Sequence, residues 1–320
     1  MKTKPIIIIS GSIKSVFLEI FFKSLKKKYQ SPLILICCKN YLYNYMKKNN
    51  LKNEIEILDF QKIKKKKISN NKINLIDVPL EKSNNEDLNK KLINQYIKKS
   101  FDVAFELINK KITHKLINGP INKKEFLNKK FLGITEYISS HFKEKKVGML
   151  IYNEKLSVCP LTTHVPLKLV SKNIKKKEIK EKIVLINLFY KKVLKIKPKI
   201  AVTGLNPHCE SILKFNEDEK IVSESIKMAK KKGINVTGPY PADTIFLKAN
   251  RKKFDVILGM YHDQVLTPIK ALFEYDAFNI TMGLPFLRVS PDHGPNEKMI
   301  NKNKSNPLSL IKAIKFLDSK

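Results

Sequence analysis

Short apolar runs alternate along the chain with stretches whose apolar residues recur at helical spacing. Residues 5–10 read as a first strand. Ile13, Val16, Phe17, Ile20, Phe21 and Leu25 then recur every three or four positions, which predicts a helix. Residues 33–38 and 73–78 predict two further strands. Ser83-Asn84-Asn85-Glu86 is a capping-box pattern that opens a helix running to about Lys110. Residues 115–118 form a short strand entering Gly119-Pro120. Residues 147–152 and 156–161 predict a hairpin turning at Asn153-Glu154. Helices follow at 179–195 and 217–232, strands at 199–203, 255–261 and 278–282, and a closing helix at 307–317. This order implies βαβ units and a mainly parallel sheet. A boundary falls near residues 130–145, although no linker marks it, and no internal repeat is present.

The 320 residues suit one large or two modest α/β domains, and 42% hydrophobic content is enough for a substantial core. No apolar run approaches the roughly 18 residues of a membrane helix. The run at 6–9 is too short for a secretory h-region. Cys37, Cys38, Cys159 and Cys209 show no CxxC spacing and give no disulfide framework. A reduced, cytoplasmic setting is expected.

The formal net charge of +34 raises nucleic acid or an anionic membrane as partners. The kind of cation argues against both. Of 63 basic residues only Arg251 and Arg288 are arginine, whereas nucleic-acid readers rely on arginine for bidentate and stacking contacts. Lys, Asn and Ile are all frequent, as in a genome rich in A and T. The lysine stretches at 62–67 and 172–182 read as solvated surface. The charge still attracts anionic substrates such as phosphates.

Three histidines occupy equivalent places. His164 follows the strand ending near Leu161, His208 the strand ending near Thr203, and His262 the strand ending at Tyr261. Ligands of open α/β sheets bind beyond the carboxyl ends of strands. Three imidazoles there could hold a divalent metal with positions open to substrate. Their spacings of 44 and 54 residues form no local metal motif, so each taken alone also reads as a loop residue. Lys270, Asn279 and Arg288 follow at nine-residue intervals and can hold phosphate or carboxylate. Arg288 stands out in a chain that otherwise uses lysine. Arg251 lies in the exposed-looking Asn250-Arg251-Lys252-Lys253. Asp243, in a Pro-rich turn, is either a functional carboxylate or an N-cap. Gly11-Ser12-Ile13-Lys14 is neither a Rossmann fingerprint nor a P-loop.

Seven segments appear in order: Asn118-Gly119-Pro120-Ile121-Asn122-Lys123, Thr162-Thr163-His164-Val165-Pro166-Leu167, Gly204-Leu205-Asn206-Pro207-His208, Gly238-Pro239-Tyr240-Pro241-Ala242-Asp243-Thr244, Tyr261-His262-Asp263-Gln264, the stretch 279–288, and Asp292-His293-Gly294. Together they resemble the 4-hydroxythreonine-4-phosphate dehydrogenase family of vitamin B6 synthesis. The resemblance implies a fold related to isocitrate and isopropylmalate dehydrogenases, with two α/β/α domains and a central cleft. The first domain would span 1–132 and be joined by the C-terminal helix 303–320; the second would span 133–302. It implies a homodimer whose active site draws on both subunits. His164, His208 and His262 match the metal ligands. Thr135, Lys270, Asn279 and Arg288 match the substrate-binding residues, and Asp292, His293 and Gly294 match the cofactor segment.

The implied activity is NAD-dependent oxidation of 4-phosphohydroxy-L-threonine, assisted by Zn, Mg or Co, then decarboxylation to 3-amino-2-oxopropyl phosphate. NADP is also compatible. Asp243 and Asp263 are the candidate bases. This chain departs from the family at several points. The N-terminal Gly-Asp-Pro-x-Gly-Ile-Gly-Pro-Glu keeps only Gly11 and Glu19. The His of Gly-His-Thr-Glu is Ile134. The Gly-rich stretch after Asn-Pro-His is Cys209-Glu210-Ser211-Ile212-Leu213-Lys214, and Pro295-Asn296 replaces Thr-Ala. Ile134 favours a paralogue acting on threonate or erythronate phosphate as the alternative. A basic nucleic-acid-binding protein that has lost catalysis is the alternative of another class, disfavoured by the scarcity of arginine.

Overall fold

The computed structural model describes residues 3–63, 68–81, 90–127, 131, 133–144, 146–210 and 215–320. The predicted capping box at 83–86 lies outside them. Contacts group the chain into two compact units, Met1–Ile134 with Pro285–Lys320, and Thr135–Leu284.

The first unit holds strands β1 (Ile6–Ile9), β2 (Leu33–Cys37), β3 (Ile55–Ile57), β4 (Ile73–Asp77) and β5 (Lys115–Asn118). The second holds β6 (Gly148–Tyr152), β7 (Ser157–Thr162), β8 (Ile200–Thr203), β9 (Val236–Tyr240), β10 (Val256–Tyr261) and β11 (Phe278–Met282). The chain then returns to the first unit as β12 (Leu287–Pro291).

In the first unit the strand order is β3-β4-β2-β1-β5-β12, parallel throughout. β1 and β2 are uninterrupted apolar runs, and every residue in them is buried, as expected of strands covered on both faces. The expected domain boundary at 302 moves to 284. The reason is pairing: β12 runs parallel to β5, with Leu287 opposite Lys115 and Val289 opposite Ile117. The helix Leu308–Asp318 packs on β12, β1 and β5.

In the second unit the order is β11-β6-β7-β10-β8-β9. The predicted hairpin is present, with β6 and β7 antiparallel and Ile151 opposite Val158. β7, β10, β8 and β9 run parallel. Apolar residues of β7, β8 and β10 pack with Val265, Leu266 and Ile269 of the helix His262–Phe273.

Several predicted bounds shift. The first helix begins at Phe17, because 11–16 form a loop rather than a first turn. The Pro-rich segment expected as a turn contributes β9. The helix predicted from 179 starts at Lys176 and ends in a π turn, Tyr190–Leu194. All four cysteines are free. Among the described residues no helix is long and apolar enough to cross a membrane.

The return of the chain into the first unit is fastened by Glu19. Its carboxylate is buried and accepts bonds from Ser305 N at 2.6 Å, Ser305 Oγ at 3.0 Å and Lys23 Nζ at 2.8 Å. Glu19→Ala strands the two Ser305 donors, while Lys23 Nζ keeps Asn303 O and Ser305 O, and is expected to lower unfolding stability by about 3 kcal/mol, the scale for breaking a buried charged cluster. Chemical denaturation checks it; a loss below about 0.5 kcal/mol, the range of ordinary surface substitutions, contradicts the clamp.

Candidate active site

β7, β10 and β8 lie side by side and parallel, so their carboxyl ends form one row. His262 is the first residue of the helix that follows β10. His164 stands two residues beyond the end of β7, and His208 lies in the turn Pro207–Cys209 after β8. The expected placement at three strand ends is therefore observed.

Side-chain bonds fix this row. Thr162 Oγ1 donates to Met260 O at 2.8 Å, tying the ends of β7 and β10. Gln264 joins β10 to β8. Its Oε1 accepts from Met260 N and from Thr203 Oγ1, both at 2.7 Å, and its Nε2 donates to Gly204 O at 2.8 Å. The His164 and His262 rings are thereby held 6.2 Å apart between centroids.

His262 Nδ1 lies 2.7 Å from Asp263 Oδ1. A carboxylate on one ring nitrogen orients the imidazole and leaves Nε2 for a ligand, as behind metal-bound histidines. Imidazole nitrogens with a carboxylate behind one of them fit a divalent transition-type ion such as zinc or cobalt. Among the described residues, however, no three His, Cys, Asp or Glu side chains of one chain group closely enough to hold a metal. His164 and His262 are together; His208 does not complete a triad with them.

The remaining expected residues fall in several places. Thr135 Oγ1 is 3.5 Å from Thr281 Oγ1 on β11. Asn279 is two residues earlier on that strand and so shares its face. The Asn279 Oδ1 atom is buried with no hydrogen-bond partner, a costly state that a bound donor would relieve. Thr135 thus stands against the face of β11 that carries Asn279. Lys270 is exposed near the end of the helix His262–Phe273, about 12 Å along the axis from His262. Asp243 is exposed in the one-turn helix Ala242–Ile245, whose N-cap is Pro241, so the N-cap reading is not met. Burial, reinforced by the Asp218 and Asp243 carboxylates, pushes the Cys209 thiol up to about 11.

Arg288 lies in the first unit, on β12, and is only 3% exposed. Its Nε donates to Asn118 Oδ1 at 2.7 Å, a bond across the β5–β12 pair. Asn118 was visible only as the first residue of a matched segment; the fold reveals its use. Arg251, expected on the surface, is half-buried and donates from Nη1 to Phe246 O at 2.9 Å.

Three loops meet at the carboxyl ends of β1, β5 and β12. Ser12 N donates to Pro120 O at 2.9 Å, Asn122 N to Ser12 Oγ at 3.0 Å, and Val16 N to Pro295 O at 3.1 Å. Gly11 takes φ +78°, and a Cβ there would collide with Pro120 O, so this crossing requires glycine. Asp292 and His293 occupy the third loop, with Asp292 N bonded to Ser309 Oγ at 3.0 Å. Gly294 faces open space.

The family model described as "Pyridoxal phosphate biosynthetic protein PdxA" matches residues 28–317. The chain belongs to this family. A 4-hydroxythreonine-4-phosphate dehydrogenase from Sulfurihydrogenibium sp. is 41% identical over 206 residues, 63% of each chain. That match therefore spans less than two thirds of the relative's length. A D-threonate 4-phosphate dehydrogenase from Salmonella typhimurium is 30% identical over 329 aligned positions, covering 99% of this chain and 98% of the relative. A solved structure of a putative 4-hydroxythreonine-4-phosphate dehydrogenase from Salmonella typhimurium superposes with a TM-score of 0.85 at 30% identity, covering 99% of both chains. The family resemblance read from the seven segments is confirmed.

Asp263→Ala removes the carboxylate behind His262 without touching the imidazole. Divalent-ion binding is expected to weaken about 10- to 100-fold, the usual cost of losing such a partner. A Co²⁺ titration reads this; unchanged affinity contradicts the orienting role.

Proposed function

We propose that this chain is a cytoplasmic, NAD-dependent dehydrogenase that oxidises 4-phosphohydroxy-L-threonine with the help of a divalent metal. The β-keto acid formed loses carbon dioxide to give 3-amino-2-oxopropyl phosphate, a step of pyridoxal phosphate synthesis. The observation that carries this reading is the row of His164, His262 and His208 at adjacent strand ends in a chain of the PdxA family.

A divalent ion held by His164 and His262, with its ligand set completed from a second copy, would act as a Lewis acid on the alcohol and then on the ketone. A nicotinamide cofactor would accept the hydride. The work of the chain's own residues is more specific. Asp263 holds His262 Nδ1, which presents Nε2. Asp243, exposed in the short helix Ala242–Ile245 after β9, is the carboxylate we assign to take the alcohol proton, with Asp263 as the other candidate. Asn279 offers a buried acceptor to a substrate N–H or O–H, and Thr135 a hydroxyl on the same strand face. Lys270 and Arg288 bind the anionic groups, Arg288 through its planar fork. Asp292, His293 and Gly294 receive the dinucleotide, NAD in the first instance.

The enzyme acts as a homodimer, in which residues of a second copy complete the metal set. This accounts for two grouped histidines rather than three within one chain. It also accounts for Lys270 lying two turns from His262.

A second substrate, D-threonate 4-phosphate, is favoured by one observation. Ile134, where the family has a substrate-contacting His, is buried and presents no donor. A relative bearing the D-threonate name aligns along 99% of the chain. Steady-state assays with both substrates, NAD and a panel of divalent ions decide. Higher kcat/KM for 4-phosphohydroxythreonine supports the first reading, and the reverse ranking moves the assignment to D-threonate 4-phosphate.

The two arginines provide an internal comparison. Arg288→Lys keeps the charge and loses the fork, and is expected to lower kcat/KM on the order of 10- to 100-fold, from about 1.5–3 kcal/mol. Arg251→Lys can still reach Phe246 O and should change kcat/KM by about twofold at most. Equal, small effects at both positions would remove Arg288 from the substrate site.

A further inference from the structure

His208 is held in an unusual backbone state. It has φ +56°, and Cys209 follows with φ +62°. Two consecutive non-glycine residues in the left-handed region are disfavoured, because each Cβ crowds the following carbonyl oxygen. The turn closes through Cys209 N to Asn206 O and Glu210 N to Pro207 O, both 3.1 Å. The His208 side chain is exposed, so packing around the imidazole does not hold this state.

What holds it lies one layer below. Asp218 is 1% exposed, at the start of the π turn Asp218–Ser223. Its Oδ1 accepts from Leu205 N at 2.6 Å; its Oδ2 accepts from Asn206 N at 2.9 Å and Asn206 Nδ2 at 3.1 Å. Both backbone N–H groups that lead into the turn therefore end on one buried carboxylate. Asp218 is itself fixed, with its N donating to Asn216 Oδ1 at 2.9 Å and its O accepting from Ser223 Oγ at 2.9 Å. Gly204 completes the arrangement: a Cβ there would lie 2.6 Å from Cys209 Sγ and 3.0 Å from Asp218 Oδ1.

We propose that Asp218 is the positioning residue of His208, a buried carboxylate that clamps residues 205–206 and so sets the direction in which the exposed imidazole is presented to a metal. This rests on His208 being a metal ligand. Asp218 does not touch the metal. Its neutral amide analogue would offer one acceptor oxygen where two are used, and its NH₂ would face an N–H. The turn would then relax away from its strained φ values.

The test is a Co²⁺ titration of the full-length protein, followed by visible absorption, in wild type, Asp218→Asn, Asp218→Glu and His208→Ala. Thermal melting of each metal-free protein is recorded alongside. Asp218→Asn is expected to weaken Co²⁺ binding about 10- to 100-fold and to shift the cobalt bands. Asp218→Glu keeps the charge and is expected to recover part of that loss. If Asp218→Asn does not fold, Asp218→Glu carries the test alone, through a smaller weakening of the same sign. His208→Ala weakening binding while both Asp218 variants retain wild-type affinity and spectrum overturns the positioning role and spares the ligand assignment. Unchanged affinity in His208→Ala overturns the ligand assignment and the proposal with it.

Discussion

The carboxamide of Gln264 is the contact on which the candidate site depends. One side chain accepts from Met260 N and Thr203 Oγ1 and donates to Gly204 O. It thus fixes the ends of β8 and β10 to each other at the point where both strands give way to functional segments. An amide suits this place, since its acceptor oxygen and its donor nitrogen are both used. A glutamate would present an acceptor to Gly204 O, and an apolar residue would leave buried backbone groups unpaired. Thr162 extends the same tie to β7. The fold supplies parallel strands; these polar bonds turn three strand ends into one rigid row.

Much of this was legible beforehand for a physical reason. Strands buried on both faces are written as unbroken apolar runs, so β1 and β2 stand out. Loops at strand ends carry the polar residues, so His164, His208 and His262 were visible as a set. β3, β9 and β12 were not. β3 is three residues with half-exposed side chains. β9 contains Gly238 and Pro239, which read as turn formers. β12 carries Arg288 in its second position, and a buried arginine breaks the apolar signal of a core strand. The clamp by Asp218 had no signal at all, because nothing in a lone aspartate twelve residues from Asn206 announces which N–H groups it will meet.

The altered N-terminal motif becomes intelligible in the same way. Of the family's nine-residue pattern the chain keeps Gly11 and Glu19. Gly11 allows the β1 and β5 loops to cross, and Glu19 fastens the segment before the last helix. Both are architectural duties. What has been lost lies between them, in residues 12–18, beside the loops assigned to the cofactor. The divergence has therefore spared the two residues to which the fold gives an architectural role.

The discontinuity of the first unit carries a consequence for how the molecule is born. Synthesis delivers β1 to β5 first, but β5 lacks its neighbour until β12 emerges some 170 residues later, Arg288 reaching Asn118 only then. The second unit is a single uninterrupted stretch and can complete its own sheet in the interval. On the ribosome, then, the unit that begins first is the last to close. Until it closes, β5 presents an unpaired strand edge, the kind of surface that nascent-chain chaperones cover.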